Sequence, residues 1–276
     1  MGGLFSSRCR SKARLDGKTA IITGANTGIG KETAMDLARR GATVVLACRD
    51  EQKAEAAATE LRKRLQGYQG AGEVRVQRLD LSSLTSVRDC ARRLLEQHPN
   101  IHLLINNAGV MACPRSLTED GFEMQLGVNH LGHFLFTCLL LPRLRASAPA
   151  RIVVVSSLAH RSSGVTTYSL HPGVIATELG RHLDDSFFPG LSWIFGKLGR
   201  LYLKSPKQGA QTTIYCAVEE SISNESGLYY SGCKKATPTR RARNAESARR
   251  LWEESLRLVK LNDWDPCTAP DGSQPL

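Results

Sequence analysis

Across residues 19–155, short β-branched apolar runs alternate with stretches of helical period, and little else about the chain restricts its fold as strongly. Thr19–Thr23, Thr43–Ala47, Val74–Leu79, Ile101–Ile105 and Ile152–Val155 read as strands. Between them, Ile29–Arg40 repeats apolar residues at Ile29, Thr33, Ala34 and Leu37, Ala54–Leu65 is rich in Ala, Glu, Lys and Arg and reads as a solvent-facing helix, and Leu84–Leu95 reads as another helix. A long helix is expected from Phe122 or Met124 to Leu144. This alternation predicts βαβ units and an α/β fold: a doubly wound parallel sheet covered on both faces. Further on, Gln208–Val218 reads as helix and Gly227–Ser231 as the last strand. Ala245–Val259 reads as a closing helix with Leu251, Trp252, Leu256 and Val259 on one face. With no internal repeat or low-complexity linker, one domain is expected over residues 16–262. It is flanked by a basic tail, 1–15, and a loose tail, 263–276.

The charge is local. The chain carries a net charge of +11, and nearly all of it lies in residues 1–18 and in residues 234–250. The body between them is close to neutral, which argues against a nucleic-acid-binding face. The 8 cysteines are scattered without a CxxC pair, as expected of reduced thiols rather than of a disulfide framework or zinc site. No membrane-spanning helix or secretory signal is expected. The opening Met-Gly-Gly-Leu-Phe-Ser fits N-myristoylation at Gly2, with Ser6 in place. One acyl chain anchors weakly, so Cys9 as a palmitoyl acceptor, and Arg8, Arg10, Lys12 and Arg14 against anionic lipid, are the candidate second signals. A short tail matching by chance is the alternative.

The first strand runs directly into Thr23-Gly24-Ala25-Asn26-Thr27-Gly28-Ile29-Gly30 and then a helix. Glycines allow a sharp turn and a close backbone approach to a pyrophosphate, and the helix N-terminus offers free N–H groups. The position of the motif, between first strand and first helix, points to dinucleotide binding. At the end of the second strand, Arg49 is the first charged residue and Asp50 follows it. A guanidinium there suits the 2′-phosphate of NADP(H); the other reading is a surface Arg49 paired with Asp50. His130 and His133 have no third metal ligand nearby in sequence, so packing or capping roles are expected of them and no metal site.

The Gly-x-x-x-Gly-x-Gly spacing resembles the short-chain dehydrogenase/reductase family. So do Asp80-Leu81 after the third strand, Asn106-Asn107-Ala108-Gly109 after the fourth, Ser156-Ser157 after the fifth and His171-Pro172-Gly173 after the sixth. Within that family, residues 46–50, 105–111, 120–137 and 164–174 closely resemble vertebrate retinol dehydrogenases. The resemblance spans roughly residues 16–260 and implies a Rossmann-type fold. It also implies cofactor contacts from Gly24, Ala25, Asn26, Thr27, Gly28, Ile29, Gly30 and Arg49, with Asp80 at the adenine and Asn107, Ala108 and Gly109 along the cleft. Pro172, Gly173 and Thr177 would close over the nicotinamide end. Ser157 would hydrogen-bond the substrate carbonyl, and Asn129 would support a water in a proton relay.

The family's Tyr-x-x-x-Lys pair, general acid/base and its pKa-lowering partner, has no counterpart on a helix after the fifth strand. Leu158–Gly164 leads straight to Val165, where relatives carry on the order of 40 more residues including the crossover helix between strands 5 and 6. Seven residues span about 23 Å, barely enough to return along a strand of ~17 Å. Tyr230-Ser-Gly-Cys-Lys234 has the spacing but falls in a late strand-and-turn region, and Tyr168 has Pro172 where Lys should be. An isoform lacking one internal exon is the simplest account. Phe187–Gly196 is aromatic and sits where the family places its substrate lid, about 178–205; a helix packed on the core is the alternative.

The expected function is therefore NADP(H)-dependent oxidation or reduction of retinol- or retinaldehyde-like lipophilic molecules, impaired in this chain. The alternative is a catalytically inactive NADP-binding or partner-binding form. Expected partners are a retinoid-like small molecule, a membrane surface, and a second copy or a full-length form. The expected location is the cytoplasmic face of membranes, the endoplasmic reticulum by family, or the cytosol.

Overall fold

Strands β1 (Thr19–Thr23), β2 (Thr43–Cys48) and β4 (Leu103–Asn106) are buried along almost their whole length, as runs without polar alternation require when both sheet faces are covered. Successive side chains point to opposite faces. Ile22, Leu46, Ile105 and Val153 enter one core, and Ile21, Val45, Leu104 and Ile152 enter the other. The computed structural model that gives these contacts describes residues 7–155, 165–173, 175 and 204–271. Gly2, Ser157, Thr177 and the lid up to residue 203 lie outside the described residues.

The sheet has 8 strands in the order β3-β2-β1-β4-β5-β6-β7-β8, with β3 at Val74–Arg78, β5 at Ala150–Val155, β6 at Val165–His171, β7 at Leu228–Ser231 and β8 at Lys234–Ala236. All neighbours are parallel except β7 and β8. One layer holds α1 (Gly28–Arg39), α2 (Glu51–Leu65) and α5 (Pro206–Val218). The other holds α3 (Leu84–Gln97), α4 (Met124–Ala146) and α6 (Ala245–Leu258). The doubly wound, Rossmann-type architecture expected from the sequence is what forms.

Three details differ from that expectation. Gly227–Ser231 does not end the sheet: the hairpin turn at Gly232 and Cys233, both with positive φ, returns the chain as β8. The long helix α4 contains a π-helical turn, Gly127–Gly132. Leu251, assigned to the buried face of the closing helix, is 48% exposed, while Trp252, Leu256 and Val259 pack inward. Helix α4 is also long and apolar enough by composition to cross a membrane. Here it is apolar on nearly all sides because it is a core helix, packed between α3 and the sheet.

Two connections matter for the site. Strand β5 ends at Val155 and its parallel neighbour β6 begins at Val165, with Val155 opposite Leu170 and Ala150 opposite Val165. The chain must therefore return the full length of β5 within the residues 156–164. At the other end, residues 7–15 lie along α1 and α5. The Cys9 N–H donates to Gln211 Oε1 (3.1 Å), the Ser11 hydroxyl to the Val218 carbonyl (3.3 Å), and Arg40 to the Ala13 carbonyl (2.8 Å). Cys9 is buried by this packing, which pushes its thiol pKa up, so it is not presented as an acyl acceptor.

Candidate active site

Strand order reverses between β1 and β4, and a cleft of about 400 Å³ opens at their C-terminal ends. Crevices at such switch points are where open α/β sheets bind ligands. Gly24, Asn26, Thr27, Gly28 and Ile29 form one wall and Asn107, Ala108, Gly109 and Val110 the opposite one. Cys48, Arg49, Asp50, Lys53 and Asp80 stand at one end, Val155 and Pro172 at the other.

The glycine-rich turn is held by contacts no side chain would permit. Gly24 has φ +63°, and a Cβ there would lie 2.9 Å from the Ala108 Cα. A Cβ on Gly30 would lie 2.5 Å from Asn107 Nδ2 and 2.8 Å from the Gly24 carbonyl oxygen. Thr27 precedes α1 in an extended conformation without a side-chain cap, so the first N–H groups of α1 face the cleft. By contrast Asp50, Ser83, Ser205 and Asn244 cap α2, α3, α5 and α6 with their own side chains.

Beneath the cleft Thr23 joins its two walls. Its Oγ1 accepts the N–H groups of Asn107 and Ala108, each at 2.9 Å, and lies 2.8 Å from His133 Nε2. The His133 Nδ1 faces the Asn129 carbonyl at 3.4 Å. A carbonyl can only accept, so Nδ1 carries the proton and Nε2 accepts from the Thr23 hydroxyl. The Asn107 side chain donates back to the Thr23 carbonyl at 2.9 Å. Asn129 lies in the π-helical turn and brackets Val110: its Oδ1 accepts the Val110 N–H and its Nδ2 donates to the Val110 carbonyl, both at 2.8 Å. His130 bonds Ser255 of α6 at 2.8 Å. The two histidines thus have structural partners, and no metal-binding cluster is present among the described residues.

Burial pushes His133 down to about 4. Its unfolded value is near 6.5, so the protein must keep this imidazole neutral. The contribution is fully present above pH ~6.5 and is lost as pH falls toward 4. Linkage then predicts a stability lower by about 2 kcal/mol at pH 5 than at pH 8. Urea unfolding at the two pH values measures this, and His133→Asn should remove most of the difference. Equal stability of the parent protein at both would overturn the assignment.

Arg49 is exposed at the cleft edge, and no carboxylate lies within ion-pairing distance of it among the described residues. Asp50 is committed to α2 instead. It accepts the Lys53 N–H at 3.0 Å and lies 3.6 Å from Lys53 Nζ. The Asp80 carboxylate accepts from the Ser82 N–H and hydroxyl at 2.9 and 2.7 Å.

Of the residues singled out in the sequence, Ala25 and Gly30 are packed behind the glycine-rich wall, and Asn129 supports Val110 from below. Gly173, with φ +99°, is beside Lys204. Neither late tyrosine reaches the cleft. Tyr168 is buried and donates to the Ile222 carbonyl at 2.9 Å, and Tyr230 is buried with its hydroxyl on Glu225. Lys234 is exposed in β8. No tyrosine lines the cleft among the described residues. Sequence reading missed Thr23, His133 as its partner, and Lys53; a threonine closing a buried strand just before the first glycine was the available signal.

This architecture and cleft define a dinucleotide-binding α/β protein. The short chain dehydrogenase family profile matches residues 18–170. Human retinol dehydrogenase 13 is 46% identical over 294 aligned positions, covering 92% of this chain and 88% of the relative. An uncharacterized protein from Mycobacterium paratuberculosis shares 32% identity, with a TM-score of 0.65 over 90% of this chain and 95% of that one. A gluconate 5-dehydrogenase from Burkholderia cenocepacia, solved with NADP and tartrate, shares 25% identity over 79% and 95% of the two chains, with a TM-score of 0.58. The chain belongs to the short-chain dehydrogenase/reductase family.

Proposed function

We propose that this chain binds NADP(H) in the cleft and is a slow oxidoreductase of lipophilic alcohols and aldehydes of the retinoid kind. The observation that carries this reading is a tight glycine turn bridged to the opposite wall, built on Gly24, Gly30, Thr23 and Asn107, in a cleft that no described tyrosine lines. The retinoid class is taken from the relatives named retinol dehydrogenases.

When bound, the cofactor supplies or accepts a hydride at its nicotinamide ring. The chain's residues do the rest. The N–H groups at the start of α1 bind the pyrophosphate, Arg49 with Lys53 binds the 2′-phosphate, and Asp80 lies at the adenine. Asn107, Ala108 and Gly109 line the ribose path, with Pro172, Gly173 and Thr177 at the nicotinamide end. Ser157 holds the substrate oxygen, and Asn129 fixes the wall from which a water would be positioned. Proton transfer to the substrate oxygen then falls to solvent, because the Tyr-x-x-x-Lys pair is missing.

Two findings support the missing segment. The alignment with retinol dehydrogenase 13 runs over 294 positions, whereas 92% of 276 residues is about 254, leaving about 40 positions opposite gaps in this chain. The parallel strands β5 and β6 are joined by residues 156–164 alone, where a crossover takes a dozen or more. Losing a general acid costs about 10²–10⁴ in rate. Retinaldehyde reduction with NADPH should therefore run slower than that of retinol dehydrogenase 13 by that factor, with cofactor binding retained. A melt at about 100 times the NADPH dissociation constant should show ~2.7 kcal/mol of added stability. No shift with NADPH would overturn the reading. A shift with no turnover at all would favour the non-catalytic NADP-binding form.

Arg49→Gln tests the cofactor preference. It should weaken NADPH about 10-fold, the scale of one charge-assisted bond at an exposed site, and leave NADH unchanged. Titration by cofactor fluorescence reads both. We also place the protein at a membrane surface. Arg8 and Arg10 are exposed beside the N-terminal acylation pattern, with no acidic partner among the described residues.

A further inference from the structure

A second cavity, of about 370 Å³, lies between the first turns of α4, the turn before β7 and the N-terminal half of α6. It shares no lining residue with the cofactor cleft. Phe134, Leu228, Trp252 and Ala248 give it apolar walls, with Leu251 exposed at its side. Phe134 and Trp252 meet edge to face at 5.0 Å. The polar groups on the wall are largely engaged with one another: His130 with Ser255, Ser226 with Thr167, and Asn244 with the Ser247 N–H.

The exception is Arg243, exposed at the mouth. Further along α6, Arg249 pairs with Glu253 at 3.0 Å and Arg250 with Glu246 at 2.5 Å. Arg243 has no acidic partner among the described residues, so it holds an uncompensated positive charge at this mouth. An open groove with apolar walls and an uncompensated guanidinium at its entrance is complementary to a molecule with one aliphatic chain and one terminal anion. Its volume is near the lower end of the ~300–1,000 Å³ typical of ligand pockets, which suits one chain rather than a two-chain lipid.

We propose that this cavity binds a long-chain carboxylate, its tail against the Phe134–Trp252 pair and Ala248 and its carboxylate on Arg243. The site is separate from the cofactor cleft. It is linked to it only through α4, where His130 of the cavity neighbours Asn129 beneath Val110.

The test uses dansylaminoundecanoic acid on the full chain saturated with NADPH, so that the cleft is filled. The probe should bind, and dodecanoic acid should displace it about 10-fold more effectively than dodecanol. Ala248→Trp, which fills the slot, should weaken the probe at least 10-fold while leaving the NADPH-induced melting shift intact. Arg243→Gln, at an exposed position that endangers no packing, should weaken the acid about 5–10-fold and leave dodecanol unchanged. The proposal is overturned by no binding, by competition between probe and NADPH, or by an Ala248→Trp protein that binds as before. It is equally overturned if acid and alcohol compete equally, or if Arg243→Gln treats them alike.

Discussion

Inserting the extra residues of retinol dehydrogenase 13 between Val155 and Val165 is expected to raise retinaldehyde reduction by about 10²–10⁴-fold. The cleft of this chain already has its glycine turn, its Thr23–Asn107 bridge and its Asn129 support. Among the described residues no tyrosine lines it, and on the proposed reading the insertion supplies the proton donor beside the reacting carbonyl. A helix following β5 would also cover the sheet where β5 meets β6, so the melting temperature should rise together with the rate. The comparison that isolates the chemistry is the same insertion with its Tyr replaced by Phe, which should keep the added stability and lose the added rate. An insertion that folds, binds NADPH and leaves turnover unchanged would overturn the reading that a Tyr-bearing crossover helix is what limits the reaction.

Gly30→Val is expected to abolish measurable NADPH binding, a loss of more than about 100-fold, and to lower stability by roughly 1–3 kcal/mol. The branched side chain would start 2.5 Å from Asn107 Nδ2 and 2.8 Å from the Gly24 carbonyl. Asn107 cannot move aside cheaply, because its amide carries the 2.9 Å bond to the Thr23 carbonyl. Either α1 shifts away from the turn or Asn107 leaves Thr23, and both spoil the wall that a pyrophosphate would meet. The check is a cooperative melt that no longer responds to NADPH. Unchanged NADPH affinity would mean that the cofactor does not use this turn.

The strands with two covered faces were legible because burial on both sides leaves an unbroken apolar run, as in Thr43–Cys48. Lys234–Ala236 was not: an antiparallel edge strand of two lysines and an alanine carries no apolar signal, and its pairing is set by the turn at Gly232 and Cys233. The glycine turn announced itself through position, between first strand and first helix. The hub beneath it did not, since Thr23, Asn107 and His133 are brought together across 84 and 110 residues of sequence. The π-helical turn was hidden for another reason. A helix apolar on nearly all sides has no stripe whose slip by one residue would betray the extra member, yet that slip lets Asn129 bracket Val110. Arg49 was read correctly as the first charge after β2, while the commitment of Asp50 to capping α2 needed coordinates.

The strap formed by residues 7–15 has a temporal consequence. Cys9 and Ser11 are secured by partners 202 and 207 positions downstream, at Gln211 and Val218. On the ribosome the earliest part of the chain therefore waits until α5 has been synthesised before it can seat. Contacts closing such long loops form slowly, so residues 7–15 are among the last of the described parts to lock, and the outer edge of α1 and α5 stays uncovered until they do.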